Sequence, residues 1–416
     1  MSRNSVLVLV TRNYPFEADG GEIMFVQPEI PYLSHVFDNV LVTPVNPSGR
    51  NIDPFMCAKL DLTLAETLIS KRKQRICRAI EGLRVRGLWS ELPKAFSQGG
   101  LAAARRAVAW ASLASLTSQW ASKRFASCDN ILFYTYWRTG VTLGLVEAAT
   151  RRTGWKVVTR VHGGDLYRER WDPPYQPFSP SLYVRLQRVF AISKAGADYL
   201  KSLGVASEQV TIARLGVKDP GFQSQPSTDG VLRLVSCSFL TPVKRVPLLA
   251  RGILEFAHCY PSLPLQWTHL GDGVDKYQII RLLKDSPANL VANLPGRLSN
   301  LEVWNFYRDN PCDLFVHASA SEGVPMAMQE ASAVGLPILA TNVGGVAEIV
   351  RAENGFLLPA NPTVHDIVRA LVRFLDLSRE QRLAMRQAAR EVWKCWYDAE
   401  KNYSQFASEL LNIWRN

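Results

Sequence analysis

Two carboxylates eight residues apart, Glu322 and Glu330, stand in the stretch from Cys312 to Gly345, CDLFVHASASEGVPMAMQEASAVGLPILATNVGG. The apolar run Leu314 to Ala318 reads as a strand and Ser-Ala-Ser-Glu-Gly as a turn. The residues after Pro325 read as a helix, closed by Gly335-Leu336-Pro337 before a second apolar run, Ile338 to Ala340. Pro325 suits the first helical position. The unit is therefore βαβ, with Glu322 in the turn at the strand's carboxyl end and Glu330 early in the helix. Open α/β sheets take their ligands in the crevice at that end. A carboxylate near a helix N-terminus also complements the helix dipole, so either glutamate alone carries little. Two at this spacing, with Gly323 and Pro325, carry more. A second group is His162, where the run Lys156 to Val161 ends in His-Gly-Gly-Asp-Leu-Tyr. A histidine at a strand's carboxyl end beside two glycines faces a crevice rather than the core, although a lone histidine is usually structural. Asp165 reads equally as a polar partner in that crevice and as a helix cap.

The elements that must hold these residues follow in chain order. Val6 to Thr11 reads as a buried strand, and its turn carries Asp19-Gly20-Gly21-Glu22. Glycines there let backbone amides approach an oxyanion or a hydroxyl, and a plain tight turn has the same composition. A helix and a strand at Val40 to Thr43 come next. Residues 51–126 are helical and basic without strong strand signals, an insertion in the first domain. Alternation returns with strands at Ile131 to Tyr136, Lys156 to Val161, Val189 to Ile192 and Val210 to Ala213. The aromatic, proline-rich stretch Trp171 to Phe178 suits a loop on which a ring compound stacks. KDPGFQSQPSTDG, 218–230, is the linker the composition favours. Strands at Leu232 to Ser236, Leu265 to Leu270, Leu290 to Asn293, Leu314 to His317 and Ile338 to Ala340 complete a second parallel, doubly wound sheet. Gly271-Asp272-Gly273 lacks the third glycine of a dinucleotide fingerprint. The domains predicted are 1–217, 231–392, and a final helix, 393–416, with Trp393, Tyr403, Phe406 and Leu410 on its apolar face.

At 416 residues, 47% hydrophobic and 20% charged, the chain has the composition of a soluble globular protein of two or three domains. Seven scattered cysteines, none in C-x-x-C spacing, favour a reducing cytosol without zinc or a disulfide framework. No apolar run suits a secretory leader or a bilayer span; Ala107 to Ala121 is the nearest, and it is too short. The net charge of +11 raises the question of an anionic partner. No helix-turn-helix, zinc-finger or RNA-binding pattern presents itself, so nucleic acid is not expected. Between Lys71 and Arg86 seven basic residues accompany one acid, Glu81. An anionic membrane surface and a merely solvated face are equally good readings of 71–86.

The run Ser321-Glu322-Gly323-Val324-Pro325, continued through Glu330, Gly335, Pro337, Asn342-Val343-Gly344-Gly345 and Glu348, resembles the E-x7-E signature of retaining glycosyltransferases of family four. The G-G-E of the first loop and the H-G-x-D-L-Y segment at His162 resemble bacterial polysaccharide-assembly members. The resemblance covers nearly the whole chain outside 51–126. It implies the α/β GT-B fold: two Rossmann-like doubly wound domains facing across a cleft, the C-terminal helix crossing back to the first. It also implies a nucleotide-sugar co-substrate, a UDP- or GDP-sugar, with no tightly bound cofactor and no metal. Glu330 would accept from the ribose hydroxyls. Glu322 with Gly323, Val324 and Pro325 would hold the donor sugar, and Lys244 would neutralise the diphosphate. His162 would lie against the donor sugar, with Asp165 and Tyr167 on the acceptor side. Gly20, Gly21, Arg245 and Gly296 complete the donor site.

One departure stands out. The family's phosphate motif resembles G-R-L-x-x-x-K, and here Phe239 stands where its arginine belongs, with Arg245 and Arg297 as candidate substitutes. The sequence contains no D-x-D metal motif. The activity implied is metal-independent, retaining transfer to a lipid-linked saccharide, in the cytoplasm or at the inner face of its membrane. A nucleotide-sugar epimerase and a non-catalytic nucleotide-sugar-binding scaffold are the alternatives.

Overall fold

A computed structural model describes residues 4–16, 22–53, 56–70 and 81–416. Two compact units divide the chain: Met1–Leu215 with Lys401–Asn416, and Gly216–Glu400.

In the first unit, strands β1 (Val6–Thr11), β2 (Asn39–Pro44), β3 (Lys59–Leu60), β4 (Ile131–Thr135), β5 (Trp155–Val161), β6 (Arg188–Ala191) and β7 (Val210–Ile212) form one parallel sheet, ordered β3-β2-β1-β4-β5-β6-β7. Side chains alternate across a strand, so a sheet covered on both faces needs apolar residues at every position. In β1, Val8 and Val10 enter the core beneath the helices Leu88–Arg124 and Gly140–Ala149, while Leu7 and Leu9 enter a second core. That second core holds Phe406, Ala407 and Leu410 of the helix Ala399–Arg415. The same face buries an ion pair of Arg160 and Glu29, both fully enclosed, with the Arg160 guanidinium 3.9 Å from the Phe406 ring centroid.

The region 51–126 is not an insertion without strands. It supplies β3 and the crossover from β3 to β4, and its long helix Leu88–Arg124 breaks at Gly99 and Gly100, where φ is −167° and 59°. Beyond the break, Ala107, Ala111, Ala114 and Ala121 are fully buried. Small residues there let the helix Gly140–Ala149 come so close that a Cβ on Gly144 would meet the Ala114 carbonyl and Thr117. Of the basic segment 71–86, residues 71–80 lie outside the described residues, as do Gly20 and Gly21.

The second unit repeats the plan with β8 (Leu232–Cys237), β9 (Leu265–Leu270), β10 (Leu290–Gly296), β11 (Leu314–His317), β12 (Ile338–Thr341) and β13 (Gly355–Leu358), ordered β10-β9-β8-β11-β12-β13. All neighbours are parallel. The chain order reverses between β8 and β11, which makes their carboxyl ends the topological switch point.

Two boundaries differ from those read in the sequence. Residues 218–230 belong to the second unit, where the Ser224 amide donates to the Val334 carbonyl at 3.0 Å and Asp219 pairs with Arg390 at 2.6 Å. Polar, turn-rich composition here serves a packed surface segment. The final helix is two: Arg379–Trp396 and Ala399–Arg415, with Trp393 buried in the second unit and donating to the Val217 carbonyl. The break is fixed by a parallel bridge of Val217 with Asp398.

Candidate functional site

The turn after β11 carries Glu322 into the switch point, and the turn after β8 carries Lys244 to meet it. Their ion pair spans 2.6 Å, and His317, the last residue of β11, lies 2.8 Å from the same carboxylate oxygen. The His317 Nε2 also lies 2.7 Å from the Ser319 hydroxyl. Burial pushes the Glu322 carboxyl up, but the His317 hydrogen bond and the charges of Lys244 and His317 outweigh it and hold the group at about 2. The turn keeps this shape because Asn342-Val343-Gly344-Gly345 packs on it. The Gly345 amide donates to the Gly323 carbonyl at 2.8 Å. Gly344 has φ of 54°, and a Cβ there would run into the Glu322 carbonyl. Val324 is buried, and Pro325, in extended conformation, sits one residue earlier than expected, as the N-cap of the helix Met326–Ala333.

Glu330, one turn into that helix, meets a different environment. It is buried, accepts from the Asn300 amide at 2.8 Å, and burial lifts its carboxyl to about 7 against that hydrogen bond. Two glutamates eight residues apart thus differ near neutrality: one anionic and paired, one poised to titrate. Cys237 at the end of β8 feels both sides: burial and the Glu330 charge push its thiol up to about 12, against the charge of Lys244.

Arg245, with φ of 50°, bonds the carbonyls of Ser319 at 3.0 Å and Ala360 at 2.8 Å. It ties the loop after β8 to those after β11 and β13 rather than presenting a free fork. Arg297 is exposed, and Phe239 is 50% exposed on the loop that carries Lys244. Gly296 lies at the carboxyl end of the edge strand β10, where its carbonyl accepts from Gly271 and a Cβ would approach Asp272.

In the first unit the switch point falls between β1 and β4. Glu22, after β1, gathers the amides of Arg12, Asn13 and Tyr14 at 2.9, 2.6 and 2.8 Å and the Trp137 indole N–H at 2.7 Å. Trp137 follows β4, its ring centroid 4.3 Å from that of His162, which also stacks on Tyr136 at 4.7 Å. His162 follows β5 as expected but is not exposed: 6% of its surface remains, and neither ring nitrogen has a hydrogen-bond partner among the described residues. Burial, then the charge of Arg160, keeps the imidazole neutral by lowering its pKa well below the usual value. Two aromatic rings in contact with it contribute to that burial. Asp165 accepts from the backbone amides of His162 at 2.6 Å and Arg138 at 2.7 Å, which is the cap reading. Burial raises its carboxyl to about 7 against those bonds. Tyr167 lies edge-on to Tyr199 at 5.0 Å. The stretch Trp171 to Phe178 is no open stacking surface. Tyr175 and Phe178 are buried, and the Tyr175 hydroxyl donates to Glu91 at 2.7 Å.

Sequence reasoning missed His317, Ser319, Asn300 and Trp137. His317 carried a signal, since it ends the strand that leads into the Glu322 turn. Asn300 lies thirty residues from Glu330 on the helix Asn300–Asp309, and nothing local ties it to that carboxylate.

Residues 264–392, all within the second unit, match the model for "Glycosyl transferases group 1". Among curated proteins, the putative colanic acid biosynthesis glycosyltransferase WcaL of Escherichia coli K12 is 26% identical over 260 residues, 60% of this chain and 63% of that protein. Among solved structures, the lipopolysaccharide outer core galactosyltransferase WaaB in its apo form has a TM-score of 0.69 at 14% identity, covering 98% of this chain and 99% of that one. Anabaena HepE in complex with UDP and glucose has a TM-score of 0.66 at 16% identity, covering 98% of this chain and all of that one. The chain has the GT-B fold, two Rossmann-like domains each built on a parallel sheet.

Proposed function

Because residues 264–392 form a glycosyl transferases group 1 domain, we propose that the chain transfers a sugar from a nucleotide donor to a hydroxyl of a lipid-linked saccharide in polysaccharide assembly. The observation that carries this reading is the pairing of Lys244 with Glu322 at the switch point of that domain, with Glu330 on the helix that starts there.

Each group has a defined task. The departing diphosphate is the largest charge to be stabilised, and preorganised cations and dipoles lower the barrier most where such charge develops. Lys244 supplies the cation; the donor phosphates replace Glu322 as its partner. Phe239 offers none, so Lys244 carries more of this task than a lysine beside an arginine would. Glu322, ionised at about 2, accepts hydrogen bonds from the donor sugar hydroxyls, with the Gly323–Pro325 backbone beside it. Glu330 accepts from the ribose hydroxyls. His162, neutral and without a hydrogen-bond partner among the described residues, offers a ring nitrogen to the donor sugar. Gly20 and Gly21 line the donor, and Tyr167 the acceptor. The transfer retains anomeric configuration by same-face attack assisted by the leaving phosphate, and it needs no metal. Bacterial polysaccharide relatives support the lipid-linked acceptor, and the UDP held by HepE supports a uridine donor. Among the described residues no helix is long and apolar enough to cross a membrane, and the placement proposed is peripheral, at a cytoplasmic membrane face.

A ligand that binds only the folded state raises apparent stability, which gives the test. UDP-, GDP-, ADP- and dTDP-sugars are screened by thermal shift with and without EDTA. A shift with one donor that survives EDTA and vanishes in Glu330→Ala is the expected result. No shift with any donor overturns the reading.

A further inference from the structure

The first segment of the long helix, residues 88–98, has an apolar surface wider than the core it covers. Leu88 and Ala95 are buried, and Glu91 between them accepts from Tyr175 and the Phe178 amide at 2.7 and 2.8 Å. At about 100° per residue, Trp89, Pro93 and Phe96 fall together on the flank beside that stripe. All three are exposed, Trp89 by 67% and Phe96 by 63%. Leu83 and Leu101 add exposed leucines before and after the segment. The opposite flank is cationic. Arg86, Lys94 and Arg185 line a cavity of about 320 Å³ together with Ser90 and Ser181. Arg185 pairs with Glu147 at 2.7 Å, whereas Arg86 and Lys94 have no ion-pair partner among the described residues. Ten basic residues and two acids lie between Lys71 and Arg106, and one of those acids is the buried Glu91.

Two uncovered aromatics at helical spacing, on a strongly positive ground, make an interfacial helix rather than a solvated one. An indole favours the level of lipid headgroups, a phenyl ring the acyl boundary beneath it, and anionic headgroups attract the flanking cations. A second copy of the chain would cover the aromatics but bring two unpaired cationic surfaces together, which like charges oppose.

We propose that residues 83–101 dock this protein on an anionic bilayer surface, Trp89 and Phe96 entering the headgroup–acyl boundary while Arg86 and Lys94 take lipid phosphates at the cavity mouth. This deepens the peripheral placement proposed above, and it is tested apart from the transfer reaction. The full chain is co-sedimented with vesicles of phosphatidylcholine alone and of phosphatidylcholine with phosphatidylglycerol. Wild type should pellet only with the anionic vesicles. W89S/F96S and R86E/K94E should each bind these vesicles at least roughly tenfold more weakly, with unchanged thermal melting and unchanged donor-induced shift in solution. Wild-type protein that ignores anionic vesicles at low salt, or variants that bind them as wild type does, would overturn the proposal. So would a wild-type dimer that W89S/F96S converts to monomer, because the face would then belong to a second copy. A wild type that binds anionic vesicles but shows no donor-induced shift would count against the transferase reading alone.

Discussion

Glu330 sets a pH dependence that Glu322 does not share. A carboxyl raised to about 7 in the folded state contributes stability fully below its unfolded value of 4.5, and that contribution is lost as pH rises through 7. The ribose hydroxyls we assign to it donate to the ionised form, so donor binding should strengthen over the same range. Isothermal titration between pH 5.5 and 8.5, at about half-unit steps, should show affinity rising through pH ~7 in the wild type and a flat profile in Glu330→Gln. Glu322, held at about 2, stays ionised over that range, and its contribution is lost only as pH falls from 4.5 toward 2. Replacing His162 with Ala should leave donor affinity within about threefold and slow turnover by roughly a hundredfold or more, read by product formation under saturating donor. An equal loss of both would move His162 from turnover to binding. Glu322 was legible because it sits in the turn after a strand that the apolar pattern marks, and Glu330 because it stands eight residues on in the following helix; Lys244 was legible only through resemblance to the family's phosphate motif. Asn300 and Trp137 were not, because tertiary packing alone brings them to Glu330 and His162.

At the scale of elements, most strands of both sheets were readable as apolar runs, since sheets buried on two faces favour apolar residues throughout, but the two-residue β3 and the short β13 gave too little pattern to read. Residues 88–124 were harder. Basic and alanine-rich, broken by two glycines, they lack a clear apolar stripe, yet they pack closely on the helix Gly140–Ala149. That closeness predicts a cost. Gly144→Ala should lower unfolding stability by about 1–3 kcal/mol through overpacking, whereas Gly87→Ala, with open space about it but positive φ, should cost about 1 kcal/mol. Urea unfolding of the two variants separates these cases. Gly344→Ala combines both faults beside the Glu322 carbonyl, so it should weaken donor-induced thermal shifts as well as stability. Equal ligand shifts in wild type and variant would show that the NVGG loop does not position the Glu322 turn.

Across the whole molecule, the return of the last helix to the first unit followed only from family resemblance, since an apolar stripe does not name the surface it covers. The structure supplies the physical reason: Phe406 stands over the buried Arg160 guanidinium and beside Tyr134 and Phe190. Phe406→Ala should cost about 3–5 kcal/mol, and hydrogen exchange should place the loss in β4 and β6 rather than in β8 and β11. This arrangement also sets an order in time. The strands of the first unit leave the ribosome by Ile212, but Phe406 follows nearly two hundred residues later. At ~5–20 residues per second, a nascent chain waits roughly ten to forty seconds with one face of its first sheet uncovered. A chaperone that shields apolar surface during synthesis should therefore engage the first unit long after its own sequence has been translated, and release it when the last helix arrives.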